Sequence, residues 1–561
     1  EEAYPEIKEK SGEVAVYILD EEKLFLNTLE DGERRLEEII ANTKGDMISG
    51  YDAFKLYDTF GFPFELTSEI ASEHGFKVNE VEFRDYMMKQ REQAKRSARS
   101  KTSMASQKKV LMDFTKESTF VYGLYRLKSS VLAIVSKDRL EKTLDHDGYI
   151  ILKRTCFYSE SGGQVSDTGM IVGKNFKARV VDVFKGPNGQ HIHKVKLLDG
   201  KIRVNDDVEV IIDKPRRKDI EANHSSVHIL QYALQQVVDK NIRQAGSYVD
   251  EFKLRFDFTC PSKISDDEII KTEEFVNKII KKNVITSTET MPLDKAQKLG
   301  AMALFGEKYK DMVRVVKIDK SIELCGGTHV ANTKDIKCFA IYSFESKGSN
   351  TYRIEAVTNK RLENTLFEVI KPYNDEMVKL LIKAKEILAL ANKQKIKLDF
   401  DVTIDNTPPK SYKDIIFNQN ELSYVQSEVK MLEKQYNTEL EKNTLSNIDK
   451  YLSKVKTVNN KQFLYLELKD WEMFLVKSLA DTLCNKLDKV LIFIANIKAD
   501  HSVNIICRNS IDTLNAGYIV KSATTAFNGN GGGSATFAQG GIKEKKNLPL
   551  IKKQLEDLLN E

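Results

Sequence analysis

The sequence predicts a multidomain α+β protein: a helical segment, a small β-barrel, a mixed α/β domain, a long helical hairpin and a small α/β domain. Three observations support this prediction. The chain has 561 residues, which is too long for a single hydrophobic core. Its pattern changes from helical to strand-rich, then to mixed, to strongly helical and to mixed again. Hydrophobic residues make up 41% and charged residues 30%, as in soluble globular proteins.

Composition excludes several classes of protein. The net charge of +4 is small for this length and does not by itself indicate a nucleic-acid binder. No apolar stretch reaches the roughly 18 residues that a transmembrane helix needs, and the first residues are not a signal peptide, so no membrane association is expected. Six cysteines without a disulfide framework predict a reducing compartment, the cytoplasm or an organellar matrix. The missing initiator Met predicts a fragment or a processed chain.

Residues 1–110 are predicted to be helical. Apolar residues between 24 and 40 follow an amphipathic pattern, and Phe60-Gly61-Phe62-Pro63 predicts a turn between two helices. Residues 88–109 hold eight Lys or Arg against one acid, Glu92. This basic run is either a solvated helix face or a contact with a phosphate backbone.

Residues 111–215 are predicted to form a small β-barrel. Short β-rich runs, such as 149–152 and 180–184, are separated by glycine-containing turns. His191 and His193 lie two residues apart and therefore on one strand face. Because no partner is close in sequence, both histidines are interpreted as structural.

Residues 216–360 mix helices with strands and contain the most informative motif. His224 and His228 form a His-x-x-x-His pair, which places both imidazoles on one helix face. Cys325 and His329 form a Cys-Gly-Gly-Thr-His motif, whose glycines allow a tight turn between the ligands. Three imidazoles and one thiolate suit a borderline-soft ion, so zinc is the predicted metal.

A metal site is favoured over two other interpretations of these histidines. Either pair alone would more often consist of unrelated residues, but the chain has only eight His and six Cys, and the clustering favours a metal. A metalloprotease needs a Glu directly after the first His, where this chain has Ser225.

Residues 361–457 are predicted to form a hairpin of two long charged helices, broken at Asn406-Thr407-Pro408-Pro409. Apolar residues at three- and four-residue spacings predict a seam that pairs with another helix: Leu422, Val425, Val429, Leu432, Tyr436 and Leu440. The seam could pair within the chain or between chains. A homodimer through the helical or C-terminal region is therefore a candidate.

Residues 458–561 return to strands and helices and are predicted to form the small α/β domain. The run Asn528-Gly529-Asn530-Gly531-Gly532-Gly533-Ser534 is either a linker or a place where two backbones approach closely. Its apolar and helix-like flanks favour the close approach.

Taken together, these motifs resemble the alanyl-tRNA synthetase family without its N-terminal aminoacylation core. Five stretches carry the resemblance in family order: Tyr-Asp-Thr-Phe-Gly-Phe-Pro at 57–63, Phe-Tyr-Ser-Glu-Ser-Gly-Gly-Gln at 157–164, residues 224–228 followed by Gln-Ala-Gly-Ser at 244–247, Glu-Leu-Cys-Gly-Gly-Thr-His at 323–329 followed by Arg-Ile-Glu-Ala-Val-Thr at 353–358, and the glycine run followed by Ala-Gln-Gly-Gly at 538–541.

The resemblance implies hydrolytic editing of mischarged Ser-tRNA(Ala) and Gly-tRNA(Ala), as part of an alanine–tRNA ligase whose partner is tRNA(Ala). Zinc would be held by His224, His228, Cys325 and His329. The segment 1–110 would recognise tRNA, 216–360 would be the zinc-binding editing domain and 458–561 would bind the tRNA elbow. No segment resembles the class II ATP-binding motifs, so no alanine activation is expected from this chain.

The resemblance also implies roles for residues near the predicted metal. Gln244 is a candidate contact to the substrate, the alternative being a surface residue, and Gly326 and Gly327 could offer backbone N–H groups to it. Family members usually have a hydroxyl residue before the second His, and Val227 stands there. A zinc-activated water and a zinc that only orients the ester both remain open. The alternative functions are a free-standing trans-editing deacylase and a tRNA-binding module with a structural zinc.

Overall fold

The computed structural model describes residues 11–43, 45–98, 109–302, 310–348, 350–459 and 461–560. It is a mixed α/β protein of two compact units, one comprising residues 1–371 and 407–418, the other residues 372–406 and 419–561. Within the described ranges, no helix is long and apolar enough to cross a membrane. Much of the basic run at 88–109, namely residues 99–108, lies outside the described residues.

The first segment is mainly helical. Its elements are α1 (Ser11–Asn42), β1 (Met47–Ile48), α2 (Gly50–Phe60), α3 (Phe64–Glu73), β2 (Lys77–Val78) and α4 (Glu80–Ala98). Gly61 adopts a left-handed φ of 70° and caps α2, and α3 begins directly after Pro63. The turn predicted at Phe60-Gly61-Phe62-Pro63 is therefore confirmed.

The next segment forms a closed six-stranded barrel. Its elements are α5 (Lys109–Met112), β3 (Thr119–Phe120), β4 (Arg126–Ser136), β5 (Arg139–Glu141), β6 (Thr143–Leu144), β7 (Gly148–Leu152), β8 (Arg154–Thr155), β9 (Gly169–Gly173), β10 (Phe176–Lys185), β11 (His191–Gly200), β12 (Ile202–Arg203) and β13 (Asp207–Ile212). The strand order is β13-β9-β10-β11-β7-β4, and β4 pairs back with β13 to close the barrel. Inward-facing aliphatic and aromatic side chains fill its interior.

A long helix, α6 (Lys214–Val237), follows the barrel. The Asp213 carboxylate caps its first turn by accepting a hydrogen bond from the Arg216 N–H at 3.2 Å. Between Ile220 and Leu234 nearly every residue is buried, including the polar ones. Buried polar side chains on such a helix cost free energy unless protein partners satisfy them.

Two small antiparallel sheets lie beyond α6. The elements of this region are β14 (Arg243–Val249), β15 (Leu254–Thr259), α7 (Asp266–Lys281), β16 (Ser287–Pro292), α8 (Leu293–Lys298), β17 (Met312–Ile318), β18 (Ser321–Leu324), a 3-10 turn (Thr333–Ile336), β19 (Phe339–Ser346), β20 (Thr351–Thr358) and a second 3-10 turn (Asn359–Arg361). One sheet has the order β14-β15-β20-β19 and the other β16-β17-β18.

Buried polar contacts join α6 to the barrel. The guanidinium of Arg217 forms a bidentate pair with Asp167, with Nε donating at 2.7 Å, and also donates to the Cys156 carbonyl at 2.9 Å. One turn later, the Tyr125 hydroxyl donates to Glu221 at 3.0 Å. These contacts fix the rotation of α6 relative to the barrel wall.

The remaining elements are two long helices and a small α/β domain. They are α9 (Leu362–Lys393), α10 (Tyr412–Leu445), α11 (Asp449–Leu452), β21 (Lys456–Val458), β22 (Lys461–Lys469), α12 (Met473–Lys486), β23 (Val490–Ile497), β24 (Val503–Asn509), α13 (Ala516–Thr525), β25 (Asn530–Gly533), β26 (Phe537–Ile542), a 3-10 turn (Lys545–Asn547) and α14 (Leu548–Asn560). The sheet order is β21-β22-β23-β24-β26-β25.

The predicted seam of α10 packs within the chain. Val425, Val429 and Leu432 are buried against Met377 and Ala384 of α9. Leu440, further along α10, packs against other residues of the second unit. Of the two pairings that the sequence left open, these residues use the intramolecular one.

The glycine run is a packed strand rather than a linker. Residues Asn530–Gly533 form β25, which pairs with β26. A Cβ on Gly531 or on Gly540 would lie 2.7 or 2.8 Å from the Val520 side chain of α13. The close approach predicted for this segment is confirmed, since a Cβ on Gly531 would also lie 2.9 Å from the Gly540 Cα of the neighbouring strand.

Buried Glu273 of α7 makes the stability of the first unit depend on pH. Its carboxyl accepts hydrogen bonds from the Ile341 N–H at 2.6 Å and from the Tyr412 N–H at 3.1 and 3.2 Å. Burial raises the pKa of Glu273 to about 8, against roughly 4.3 in an unfolded chain. Between these values the folded state holds the proton and the unfolded state does not, so stability is lost as the pH rises.

We therefore expect the unfolding temperature of the chain to fall between pH 5.5 and pH 8.5, and to fall less in Glu273→Gln, which cannot ionise. Thermal unfolding followed by circular dichroism across this range measures the difference. Glu274→Gln, on the exposed side of the same helix, is the control and should follow the wild type. Parallel curves for the wild type and Glu273→Gln would exclude this assignment.

Candidate metal centre

The four predicted ligands meet in one place. His224 and His228 come from α6, and Cys325 and His329 from the loop that follows β18. One donor atom from each side chain lies within 4.8 Å of all the others. The Cys325 Sγ is 3.5 Å from His224 Nε2 and 3.3 Å from His329 Nε2. In the described part of the chain, this is the one cluster of His, Cys and acidic side chains that could hold a metal ion.

Each histidine has a polar neighbour at its other ring nitrogen. His224 Nδ1 lies 2.7 Å from Gln164 Oε1, and His329 Nδ1 lies 3.2 Å from Ser225 Oγ. His228 Nδ1 is 3.2 Å from a Glu323 carboxylate oxygen, although not in hydrogen-bonding geometry. Partners at Nδ1 orient metal-binding imidazoles and leave Nε2 for the ion.

Burial keeps the three imidazoles neutral. It lowers the pKa of His224 to about 4, and it lowers the pKa of His228 and of His329 well below the ordinary value. The neighbouring histidines and the Arg314 cation act in the same direction. A neutral imidazole has a free lone pair, so the donor set of three nitrogens and one sulfur fits a borderline-soft divalent ion.

One barrel side chain joins the two halves of the cluster. The fully buried Gln164 faces His224 through Oε1, which also accepts from the Thr328 N–H at 2.9 Å, while its Nε2 donates to the Thr328 hydroxyl at 2.9 Å. The loop that carries Gln164 is held against β14. Val249 of β14 forms backbone hydrogen bonds with Gly163 and Val165, the residues on either side of Gln164. The motif at 157–164 contained this residue, but the sequence did not assign it to the metal site.

The two glycines of the Cys-Gly-Gly-Thr-His loop differ in their surroundings. A Cβ on Gly327 would lie 2.0 Å from the His224 ring, so the backbone passes directly against this ligand. Its N–H donates to the Cys325 sulfur at 3.3 Å. A Cβ on Gly326 would meet nothing within 4 Å. Gly327 therefore shapes the cluster, whereas Gly326 faces open space.

A cavity of about 1180 Å³ opens beside the cluster. Gln244, Gly326 and Gly327 all line it, so the predicted site residues converge, although their roles stay predictions. Gln244 is half-buried, and its amide donates to Ser247 Oγ at 3.1 Å. Val227 also lines the cavity and presents a methyl surface there.

The two barrel histidines have different surroundings. His193 is fully buried and hydrogen-bonds with the Thr155 hydroxyl and the Ile150 carbonyl, as expected for a structural residue. His191 lines the cavity, lies 2.6 Å from Ser159 Oγ and stacks on Phe120 with ring centroids 5.5 Å apart. The polar partners of both histidines lie 32 to 43 residues away in sequence, so the spacing of the two histidines did not reveal them.

Comparisons with known proteins give consistent matches along the chain. Residues 1–216 match the family "tRNA synthetases class II (A)", residues 313–355 match "Threonyl and Alanyl tRNA synthetase second additional domain", and residues 460–561 match "DHHA1 domain". The class II match covers a segment where the sequence showed no ATP-binding motif, and the absence of alanine activation stays a prediction.

Similar proteins are alanine–tRNA ligases. The chain is 38% identical to that of Bacillus cereus over 553 residues, which cover 96% of this chain and 59% of the relative. It is 37% identical to that of Halalkalibacterium halodurans, covering 97% and 60%. A solved C-Ala domain from Aquifex aeolicus alanyl-tRNA synthetase is 30% identical and covers 19% of this chain and 99% of that one, with a TM-score of 0.19. The chain thus spans about three-fifths of the curated relatives that it matches.

The glycine geometry predicts that only one of two neighbouring substitutions weakens metal binding. In Gly327→Ala, the new methyl group must displace the His224 ring, and we expect metal affinity to fall about 10- to 100-fold, as when a supporting contact of a ligand is lost. In Gly326→Ala, the methyl group enters open space and affinity should be retained. Titration with Co²⁺, followed by its thiolate absorption, compares the two variants. Equal affinities would contradict the geometry.

Proposed function

The chain belongs to the alanyl-tRNA synthetase family, and from this premise we propose that its cavity hydrolyses mischarged Ser-tRNA(Ala) and Gly-tRNA(Ala). The observation that carries the proposal is the convergence of His224, His228, Cys325 and His329 beside a large cavity, which the first three of them line. The segment 313–355, which contains the second ligand pair, matches a domain named for threonyl and alanyl tRNA synthetases.

Physical chemistry explains why an alanine–tRNA ligase needs a second site. A pocket that binds alanine can exclude larger side chains by steric clash, but it cannot exclude glycine. One methylene group provides only about 1–3 kcal/mol of discrimination, and an added hydroxyl is also rejected weakly by an apolar pocket. Hydrolysis of the wrong ester at a separate site removes the errors that binding admits.

The donor set supports zinc as the metal. Three imidazoles and one thiolate are typical zinc ligands, and all four side chains are already close enough to share one ion. When bound, zinc can polarise an ester or a water molecule, or hold the site together. Side chains that are not ligands themselves orient the ligands: Gln164 contacts His224, and Ser225 contacts His329.

The size of the cavity indicates the class of substrate. At about 1180 Å³ it exceeds the roughly 300–1,000 Å³ of pockets for drug-sized ligands, and far exceeds the volume of a seryl group. We infer that it accepts the aminoacylated terminal nucleotide of tRNA rather than a free amino acid. Gln244 is the proposed polar contact to the aminoacyl group.

The flanking regions are proposed to hold the tRNA. Residues 1–110, with the basic run at 88–109, would contact the acceptor stem, and residues 458–561 would bind the elbow of tRNA(Ala) by shape and backbone. We also propose that the chain is located in the cytoplasm and that it forms a homodimer through the helical or C-terminal region.

Two other functions remain as alternatives. A free-standing trans-editing deacylase would share the ligand cluster, but the relatives match this chain over 96% of its length, which favours part of a ligase. A tRNA-binding module with a structural zinc is favoured by one observation: the cluster already offers four protein ligands, as closed structural sites do. Measuring turnover separates the alternatives.

The decisive measurement is hydrolysis of Ser-tRNA(Ala) by the wild type and by Cys325→Ala, with zinc quantified in both. We expect the wild type to hydrolyse the ester and Cys325→Ala to lose both zinc and activity. The matched control is Cys338→Ala, whose thiol contacts the Asn359 carbonyl outside the cluster and should leave both properties unchanged.

A wild-type chain that holds zinc and binds Ser-tRNA(Ala), yet never hydrolyses it, would show that the cluster is structural. Activity that persists in zinc-free Cys325→Ala would show that the metal is not required.

The methyl surface of Val227 predicts weak recognition of the serine hydroxyl. Val227→Thr has nearly the same shape and adds a hydroxyl at the cavity wall. We expect it to raise the ratio of Ser-tRNA(Ala) to Gly-tRNA(Ala) hydrolysis, by up to about 10-fold for one hydrogen bond. Competition between the two substrates measures this ratio. An unchanged ratio would place the seryl side chain away from Val227.

A further inference from the structure

We propose that the backbone N–H of Gly326 binds the ester oxygen on which negative charge develops, and that Tyr122 and Arg314 are positioning residues that aim it. The proposal rests on the function proposed above and identifies the groups that act on the reacting ester. Its basis is the hydrogen bonding of the loop at Cys325 to Thr328.

Three consecutive carbonyl groups of this loop are held on one side. Arg314 Nη1 donates to the Cys325 carbonyl at 2.7 Å and to the Gly327 carbonyl at 2.9 Å. The Tyr122 hydroxyl donates to the Gly326 carbonyl, which lies between them, at 2.8 Å. The guanidinium carbon of Arg314 also lies 4.2 Å from the centroid of the Tyr122 ring, so the two donors support each other.

The direction of the carbonyls fixes the direction of the amides. In a planar trans peptide, the C=O of one residue and the N–H of the next residue point in opposite directions. Each N–H of the loop therefore points away from the side chain that donates to the carbonyl of the same peptide. Two of the three amides have a partner: the Gly327 N–H donates to Cys325 Sγ at 3.3 Å, and the Thr328 N–H donates to Gln164 Oε1 at 2.9 Å. Both partners belong to the metal cluster or its support.

The third amide, that of Gly326, is hydrogen-bonded to none of the described residues. It shares a peptide plane with the Cys325 carbonyl, so Arg314 directs it toward the opposite side. Gly326 lines the cavity, and a Cβ there would meet nothing within 4 Å. A substrate oxygen can therefore approach this amide beside the Cys325 sulfur.

The chemistry needs a donor at this position. As water adds to the ester carbon, a new C–O bond forms and the electron pair of the C=O bond moves to the carbonyl oxygen. The Gly326 N–H stabilises that oxyanion. The C=O bond then re-forms, the bond to the ribose oxygen breaks, and this oxygen takes one proton of the water. The products are the amino acid carboxylate, tRNA with a free hydroxyl and one released proton.

The test compares Tyr122→Phe and Arg314→Lys with the wild type in steady-state hydrolysis of Ser-tRNA(Ala). Tyr122→Phe keeps the ring that stacks on Arg314 and removes only the hydroxyl. We expect kcat to fall about 10-fold or more in each variant, which is a part of the 10²–10³-fold effect of deleting such a donor outright. Bound zinc and affinity for tRNA(Ala) carrying serine in a non-hydrolysable 3′-amide linkage should be unchanged.

Tyr352→Phe is the matched control. The Tyr352 hydroxyl donates to the Ser262 carbonyl at 3.1 Å instead of to the loop, so its kcat should equal that of the wild type. If the wild type hydrolyses the ester and Tyr122→Phe retains its full kcat, the positioning role is excluded while the proposed function stands. If kcat falls together with bound zinc, Tyr122 and Arg314 hold the ligand Cys325, and the role of the amide is excluded. A zinc-loaded wild type without hydrolysis overturns both proposals.

Discussion

The near-complete burial of α6 between Ile220 and Leu234 is the constraint on which the site depends. On such a helix, each buried polar group without a partner costs about 1–3 kcal/mol. Successive polar residues of α6 are therefore assigned to different neighbours. Asn223 accepts a hydrogen bond from the Thr358 hydroxyl. The His224 ring is hydrogen-bonded to Gln164, and the Ser225 hydroxyl is hydrogen-bonded to His329. The same contacts that satisfy the helix also orient the metal ligands.

This arrangement joins folding to metal binding. The cluster takes two ligands from α6 and two from a loop that comes about 100 residues later, and Gln164 of the barrel contacts both parts. A metal ion bound there would link α6 to the loop, and Gln164 connects both to the barrel. Because the imidazoles are already neutral, and those of His224 and His329 are hydrogen-bonded through Nδ1, little reorganisation is needed when the ion binds.

The sequence predicted those features that depend on local spacing. The four-residue interval between His224 and His228, the glycine run and the barrel segment are all local patterns, and the structure contains each of them. The roles of Gln164 and Tyr122 could not be predicted, because their contacts cross 60 and 204 residues of the chain. Nothing in the spacing of a lone Gln or Tyr indicates such a partner.

A cluster of four ligands does not by itself explain how an ester would be hydrolysed beside it. A metal with four protein ligands has no open position for substrate unless one ligand leaves. Hydrolysis then needs a polar group outside the metal shell, close enough to act on an ester beside it. The Gly326 amide meets this requirement, since its neighbour Cys325 is a predicted ligand and Gly326 itself lines the cavity. On this view the cluster fixes the loop, and the loop presents the donor to the substrate.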